Sequence, residues 1–211
     1  MTATVSIWDA THPAWAEPLA AAAAAQPDYS GSCMIALYPP PDVAEKLAVP
    51  GGLPPGEIHL TVAYTGDCAD VDLDALASAA LALAGRPPVI ATISGHARFT
   101  GGDDGDVIVA LADSPGLDQL RRDTEAALAV RGIALPSEHG FTAHMTLCYQ
   151  DAGDPDPVGR QPAFPVTFTG ISAEYGTQRY TFPLCATPGT QDAAAPAGDA
   201  WGSLQRMAGA R

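Results

Sequence analysis

The sequence is poor in basic residues. Its 211 residues include ten Lys and Arg against 24 Asp and Glu, which gives a formal net charge of −14. Long RNA and DNA are held mainly through phosphate contacts with a positively charged surface. The deficit therefore argues against a protein that grips long nucleic acid. A small phosphate compound or a short chain end is an easier ligand to accept, and the acidic surplus itself is typical of a solvated surface.

The sequence also lacks the cysteine spacings that are typical of metal sites and disulfide frameworks. The four cysteines, Cys33, Cys68, Cys148 and Cys185, form no C-x-x-C pair, which argues against a zinc site and favours reduced thiols in a cytoplasmic protein. No apolar run approaches the ~20 residues that span a bilayer. The alanine run near the N-terminus has no basic segment before it, unlike a signal peptide. We therefore expect a cytoplasmic protein with no membrane partner.

The two ends differ in composition from the middle. Residues 1–31 hold two tryptophans and an alanine run, which predicts an N-terminal extension with one short helix between Pro13 and Pro27. Residues 186–211 are rich in Ala, Gly, Pro, Thr and Asp, which is typical of a flexible tail. Residues 32–185 form the predicted domain. Both ends are candidates to dock a protein partner.

Hydrophobic periodicity divides the middle of the chain into strands and helices. Strands are predicted at Cys33–Tyr38, Glu57–Tyr64, Val89–Ser94 with a continuation at His96–Thr100, Asp106–Leu111, Ala143–Tyr149, Pro165–Ile171 and Arg179–Leu184. Helices are predicted at Asp70–Ala84 and Pro115–Arg131, with a helical turn at Pro41–Leu47. The order describes two halves of similar makeup, and the short mixed connections favour an α+β fold over a doubly wound parallel sheet.

One strand in each half has the pattern apolar–His–apolar–Thr–apolar. The two segments are Ile58-His59-Leu60-Thr61-Val62 and Ala143-His144-Met145-Thr146-Leu147. Because strand side chains alternate between faces, each segment presents an imidazole and a hydroxyl on one face and apolar side chains on the other. Five histidines and 16 threonines predict ~0.4 His-x-Thr matches by chance. Two matches in equivalent positions therefore indicate a paired site.

Other interpretations of these segments have less support. A single His-x-Thr is typical of a half-exposed strand with polar residues on its solvent side. Two histidines without carboxylate or thiolate partners at ligand spacing make a poor zinc set. A Ser-His-Asp triad on a nucleophile elbow would need a G-x-S-x-G segment, which the sequence lacks.

The paired segments resemble the His-x-Thr motifs of the 2H phosphoesterase superfamily, in its 2′-5′ RNA ligase-like or RNA 2′,3′-cyclic phosphodiesterase branch. The similarity covers about residues 32–185. Met34-Ile35-Ala36-Leu37 resembles the family's opening strand, and the first motif is followed by Ala63-Tyr64-Thr65-Gly66-Asp67, with the family's usual aromatic, Gly and acidic residues. The sequence departs from the family pattern at Ala143, often Pro, and at Cys148-Tyr149-Gln150, where a basic residue often follows the motif.

The resemblance implies a bilobal α+β fold with pseudo-twofold symmetry, in which two antiparallel-type sheets flank a central cleft and the helices lie outside. It also implies a metal-independent cyclic nucleotide phosphodiesterase that hydrolyses a 2′,3′-cyclic phosphate or a 2′-5′ linked nucleotide. His59 and His144 would be the acid/base pair, with Thr61 and Thr146 on the phosphate oxygens. No metal and no cofactor are needed in this scheme.

Several neighbours of the motifs are further candidates for the site. Three aromatic residues are candidates to stack a nucleobase, although aromatics in such strands also belong to cores: Tyr38, Phe99 and Phe141. Arg98 is a candidate phosphate contact or a surface residue, and His139 lines the cleft or lies in an exposed loop. Period-two alternation places Cys148 on the face of His144, as part of the pocket lining and not as a nucleophile.

Two other functions fit the same residues. One is hydrolysis of a cyclic dinucleotide or oligonucleotide signal on this scaffold, for which a weakly basic protein is equally suitable. The other is a non-catalytic nucleotide-binding or structural module. Turnover in the presence of EDTA separates the enzyme from the module, which would bind without turnover.

Overall fold

The computed structural model describes residues 5–7, 30–102, 105–135, 140–158 and 162–185. The described strands are β1 Val5–Ile7, β2 Ser32–Leu37, β3 Leu60–Asp67, β4 Val89–Gly102, β5 Gly105–Asp113, β6 His144–Gln150, β7 Phe164–Phe168, β8 Gly170–Tyr175 and β9 Gln178–Pro183. The helices are α1 Pro41–Leu47, α2 Leu73–Ala82 and α3 Pro115–Ala129, with a 3₁₀ turn at Pro55–Glu57. The helix expected between Pro13 and Pro27 and the tail 186–211 lie outside the described residues.

The strands form one large antiparallel sheet in the order β1-β4-β5-β6-β3-β2-β8-β9, with β7 also paired to β4. This confirms the α+β prediction. In place of the expected two sheets, this sheet contains two groups of strands. One group ends in β6 and the other begins with β3, and the two groups are joined by the single residue pair Leu60 and Met145. The pseudo-twofold symmetry stays a prediction.

Local sequence explains where the two long helices begin. Asp72 caps α2 by accepting a hydrogen bond from the Ala75 amide at 2.8 Å. Ser114 caps α3, where Pro115 at the first helical position has no amide hydrogen to leave unpaired. These starts confirm the predicted helices within a few residues.

The same two helices cover one face of the sheet. Helix α3 packs against β3 and β4, and α2 packs against β2, β8 and β9. Their buried residues include Leu76 on α2 and Leu117, Leu120 and Leu128 on α3. None of the helices in the described ranges is long and apolar enough to cross a membrane.

The strand prediction for residues 165–171 is wrong in detail. The predicted strand Pro165–Ile171 is two strands, because the chain passes from one group to the other at Thr169: β7 pairs with β4, and β8 pairs with β2. Phe168 of β7 and Ile171 of β8 are both fully buried. A single apolar run in the sequence therefore contributes to two parts of the core. The predicted continuation of Val89–Ser94 at His96–Thr100 is confirmed, since strand β4 runs through both segments with a bulge at Ser94.

The N-terminal extension contributes a strand that the sequence did not predict. Residues Val5–Ile7 pair with Ala97–Phe99 of β4. Strand β1 therefore lies at the edge of the group that carries the second motif.

We expect a truncated protein of residues 32–185 to fold and to retain turnover. Both motifs and all described residues of the core lie within this range. Loss of the β1 pairing should lower the melting temperature by about 2–4 °C, which corresponds to ~1 kcal/mol in a domain of this size. The measurement is thermal unfolding of proteins lacking residues 1–31, residues 186–211 or both. If the 32–185 protein is insoluble or inactive while the full chain is active, an end belongs to the fold or to the cleft.

Candidate active site

The two His-x-Thr segments lie side by side. Leu60 of β3 pairs antiparallel with Met145 of β6, and both side chains are fully buried. Residues one step from this pair project from the other face of the sheet. The register therefore sets His59 opposite Thr146 and Thr61 opposite His144. The two histidines are diagonal neighbours, which are typically about 7–8 Å apart in an antiparallel pair, so a single phosphate fits between them.

Both imidazoles are held in the same way. The Nδ1 atom of His59 is 2.7 Å from the carbonyl oxygen of Glu57, and Nδ1 of His144 is 2.7 Å from the carbonyl oxygen of Thr142. A carbonyl oxygen only accepts, so Nδ1 carries the proton in each ring. In the neutral form Nε2 is then the nitrogen that takes up a proton. Each ring is thereby fixed in orientation and tautomer by the backbone two residues before it.

The surroundings of both rings disfavour the charged form. Burial lowers the pKa of His59 and of His144 below the usual 6.5, although the two carbonyl bonds act in the opposite direction. The pKa of His59 is lowered further by the positive charge of Arg179 and by a charge on His144. The pair is therefore electrostatically coupled, and His59 has the additional cation beside it.

Each motif strand has a β-bulge directly after its threonine. Val62 of β3 has no paired residue in β2, and Leu147 of β6 has no paired residue in β5. Each is the extra residue of a bulge, and the two bulges lie at equivalent positions of the two motifs. In each case an outside donor binds the carbonyl of the extra residue. Arg121 Nη1 of α3 donates to Val62 O at 2.6 Å, and the Leu53 amide donates to Leu147 O at 2.8 Å. The two motifs thus share a backbone irregularity as well as a sequence pattern.

A glycine allows the second of these contacts. A Cβ atom at Gly52 would lie 2.4 Å from the carbonyl oxygen of Leu147 and 3.1 Å from Cβ of Cys148. Any side chain here would push the loop away from β6. The Leu53 bond to the bulge therefore requires glycine at position 52.

The bulges change which residues share the site face. Beyond each bulge the alternation of side chains between the two faces is shifted by one residue. The register therefore places Tyr64 on the same face as His59, and Tyr149 on the same face as His144. Cys148 instead pairs with the core residue Ile108 and is 1% exposed. The prediction that Cys148 lines the pocket beside His144 is therefore wrong, because it assumed an unbroken period of two.

Two of the three predicted substrate-binding aromatics lie against the histidines. The ring centroid of Tyr38 is 5.5 Å from that of His59, and the centroid of Phe99 is 5.1 Å from that of His144 in an edge-on arrangement. Phe141 packs on the edge of the core, with the guanidinium of Arg121 at 5.5 Å from its ring centre. The structure thus gives each histidine one aromatic neighbour and places Phe141 elsewhere.

The remaining candidates lie away from the pair. Arg98 is bound to Asp106 at 2.7 Å and to the carbonyl oxygen of Asp151 at 2.9 Å, beside the ion pair of His96 and Asp156 at 2.9 Å. These contacts hold the loop that follows β6, so Arg98 serves as a structural residue there. His139 lies outside the described residues. Within the described ranges, no three His, Cys, Asp or Glu side chains gather closely enough to hold a metal ion.

A group beside His59 was missed by sequence reasoning. Arg179 of β9 donates to Glu174 of β8 at 2.9 Å, and its guanidinium carbon lies 3.5 Å from the centre of the Tyr38 ring. Glu174 is almost fully buried, and burial raises its pKa while Arg179 acts to lower it. No local pattern marks these residues, since they are more than 100 positions from His59.

Comparisons with known proteins identify the family and the fold. The sequence profile of the 2′-5′ RNA ligase superfamily matches residues 49–169. The crystal structure of TT0787 from Thermus thermophilus superimposes with a TM-score of 0.51 at 21% identity, covering 72% of this chain and 94% of that one. Escherichia coli LigT complexed with 3′-AMP gives 0.51 at 19% identity, covering 73% and 95%. Among curated proteins no sequence shows significant similarity.

At these identities the solved structures establish the fold. The profile match takes in both His-x-Thr strands and more than half of the sequence. This chain belongs to the 2′-5′ RNA ligase superfamily and has the LigT-like 2H phosphoesterase fold.

Proposed function

We propose that the protein is a metal-independent phosphodiesterase that hydrolyses a 2′,3′-cyclic phosphate or a 2′-5′ linked nucleotide through His59 and His144. One observation carries this proposal. Two backbone-anchored imidazoles, each opposite the other strand's threonine, lie on the open face of neighbouring strands. This arrangement offers a proton acceptor and a proton donor on two sides of one phosphate.

The reaction needs one histidine neutral and the other protonated. The neutral Nε2 accepts a proton from water as the water oxygen bonds to phosphorus. The protonated Nε2 of the partner gives its proton to the departing ribose oxygen, and the ring opens to a phosphomonoester. The proton gained by the first histidine is returned through solvent. Imidazole suits both roles because its pKa is near the working pH.

The threonines are proposed to bind the non-bridging oxygens. Among the described residues, the Thr61 hydroxyl makes a weak contact, 3.5 Å to the sulfur of Met34. Exchanging a thioether acceptor for a phosphate oxygen gives a stronger, charge-assisted hydrogen bond. Negative charge on these oxygens would then be stabilised by donors already in position.

A nucleotide is the substrate class we favour. LigT, which has the same fold, has been crystallised with 3′-AMP, and each histidine here has an aromatic ring beside it. The acidic surface fits a small nucleotide or a short RNA end better than long RNA. The four cysteines are free thiols, which supports our proposal of a cytoplasmic enzyme.

We expect turnover of 2′,3′-cyclic nucleotides in EDTA, with a bell-shaped dependence on pH. Both histidine pKa values lie below 6.5 in the free enzyme, so the singly protonated pair is most populated below pH 6.5. The optimum of kcat/KM should lie there. It should fall at higher pH as the acid loses its proton, and at lower pH as the base gains one. A bound phosphate favours protonated rings, so kcat should peak at higher pH.

The assay compares 2′,3′-cyclic nucleotides, 2′-5′ linked dinucleotides and cyclic oligonucleotides by mass spectrometry. The control is the protein with both histidines replaced by alanine. Turnover of cyclic oligonucleotides alone would redirect the assignment to a signal hydrolase. Tight binding without turnover by the intact pair would establish a binding module instead.

A further inference from the structure

An anionic substrate at this site calls for a cation, and few are available. Seven of the chain's ten Lys and Arg residues lie in the described ranges. Two of them, Arg98 and Arg121, are already used in other contacts. Arg98 holds the loop after β6, and Arg121 binds the Val62 carbonyl from the helix side of the sheet.

Arg179 is on the same side as His59. It pairs across β8 and β9 with Glu174, and its guanidinium stacks on the Tyr38 ring, which itself lies against His59. Burial is the main cause of the lowered pKa of His59, and the positive charge of Arg179 lowers it further. A positive charge close enough to repel a protonated His59 is also close enough to attract a phosphate beside it.

The guanidinium still has donors to offer. Its Nε–H is taken by Glu174 at 2.9 Å. Its two terminal nitrogens approach the carbonyl oxygen of Gly56 at 3.5 and 3.4 Å, the outer limit of a hydrogen bond, and the Tyr38 hydroxyl is a further partner of the guanidinium. The side chain is 41% exposed. An arginine carries five N–H groups, so its outer edge remains able to bind a phosphate in bidentate fashion.

The same contacts hold the guanidinium in one orientation. Glu174 fixes one edge of the plane, and Tyr38 covers one face at van der Waals distance. A fixed guanidinium loses less conformational entropy on binding an anion than a free surface arginine. The aromatic ring and the buried carboxylate are therefore explained as its supports.

We propose that Arg179 is a phosphate-binding residue of this site, which holds a non-bridging oxygen of the substrate from the His59 side. The inference rests on the proposed function, since it assumes that a phosphate lies between the histidines. It also gives the site a cation in place of the basic residue that the second motif lacks at Cys148-Tyr149-Gln150.

The test is the variant Arg179→Gln, with Arg122→Gln as the matched control. Arg122 is an exposed arginine on α3 that binds Gln119 at 2.7 Å, on the side of the sheet away from the site. Binding of inorganic phosphate is followed through the histidine resonances in NMR. We expect the dissociation constant and KM to rise about 10- to 100-fold in Arg179→Gln, the usual size of a hydrogen bond to a charged group. Arg122→Gln should change neither.

Two further variants separate binding from folding. Arg179→Gln leaves the buried Glu174 carboxylate without a cation, which destabilises the fold. The double variant Glu174→Gln/Arg179→Gln removes this unpaired charge. It should melt closer to the wild type and still bind phosphate weakly. Arg179→Lys keeps the charge but not the planar fork, and should recover part of the affinity.

A pH profile gives an independent reading. The charged groups that act on His59 are Arg179, His144 and Glu57. Removing the Arg179 charge should raise the pKa of His59 and move its NMR titration to higher pH, and an unchanged titration would show that this charge does not reach the site.

The two proposals fail in different ways. A wild-type protein that binds phosphate through Arg179 but turns over none of the nucleotides would remove the proposed function and keep the phosphate site. The role of Arg179 would be overturned if the single and the double variant both bound phosphate as tightly as the wild type. It would also be overturned if the wild type bound no phosphate.

Discussion

Replacing His59 or His144 by alanine should lower kcat by ~10²–10⁴, the usual loss when a general acid or base is removed. Each imidazole has one backbone partner and is only partly buried, so its removal should leave the fold intact. The two losses should not add in the double variant, since the acid and the base act in one step. Steady-state kinetics with a 2′,3′-cyclic nucleotide, together with melting temperatures, make the comparison.

His96 provides the control for this prediction. It is also a strand histidine, but it is paired with Asp156 at 2.9 Å and stands apart from the two motifs. His96→Ala should weaken the loop after β6 and leave kcat within about twofold of the wild type. Full activity in the His59→Ala/His144→Ala protein would eliminate the proposed mechanism.

Local pattern was sufficient to predict most elements and the pair of motifs. The alternation of Ile58, Leu60 and Val62 with His59 and Thr61 predicted which side of β3 is buried, and Ile58, Leu60 and Val62 are indeed buried. Helical periodicity likewise located α2 and α3. These features depend on neighbours within a few residues, which a single sequence displays directly.

The errors come from interactions that a local pattern does not contain. The bulges at Val62 and Leu147 depend on donors from a distant helix and a distant loop. Period-two alternation therefore fails after each threonine, and it misplaces Cys148. The passage between strand groups at Thr169 likewise depends on pairing with β4 and with β2, which are distant in sequence. The sequence of residues 164–175 alone does not reveal it.

The group around Arg179 shows the same limit within the site. Glu174 and Arg179 are cross-strand partners in the last hairpin, and in sequence they look like an ordinary surface ion pair. They approach His59 only because β8 pairs with β2, the strand that leads to Tyr38. The sheet order therefore determines the electrostatics of the site, and the sheet order was the part that the sequence left open.

Thr61→Ala and Thr146→Ala should each lower kcat by ~10–10³, the range for losing one donor to a charge that develops in the transition state. The loss should be in kcat more than in KM, because the oxygens gain negative charge as water attacks. Serine keeps the hydroxyl on the same strand position, so Thr61→Ser and Thr146→Ser should retain most of the activity. Each substitution is measured by kcat and KM on one cyclic nucleotide.

The comparison of alanine with serine separates a catalytic hydroxyl from a packing methyl group. Both threonines are only partly buried, so alanine should have little effect on melting temperature. If serine lost as much activity as alanine, the methyl group would be the important part. The threonines would then shape the pocket without donating to phosphate. A kcat drop confined to alanine, in both motifs, would instead assign one phosphate oxygen donor to each strand.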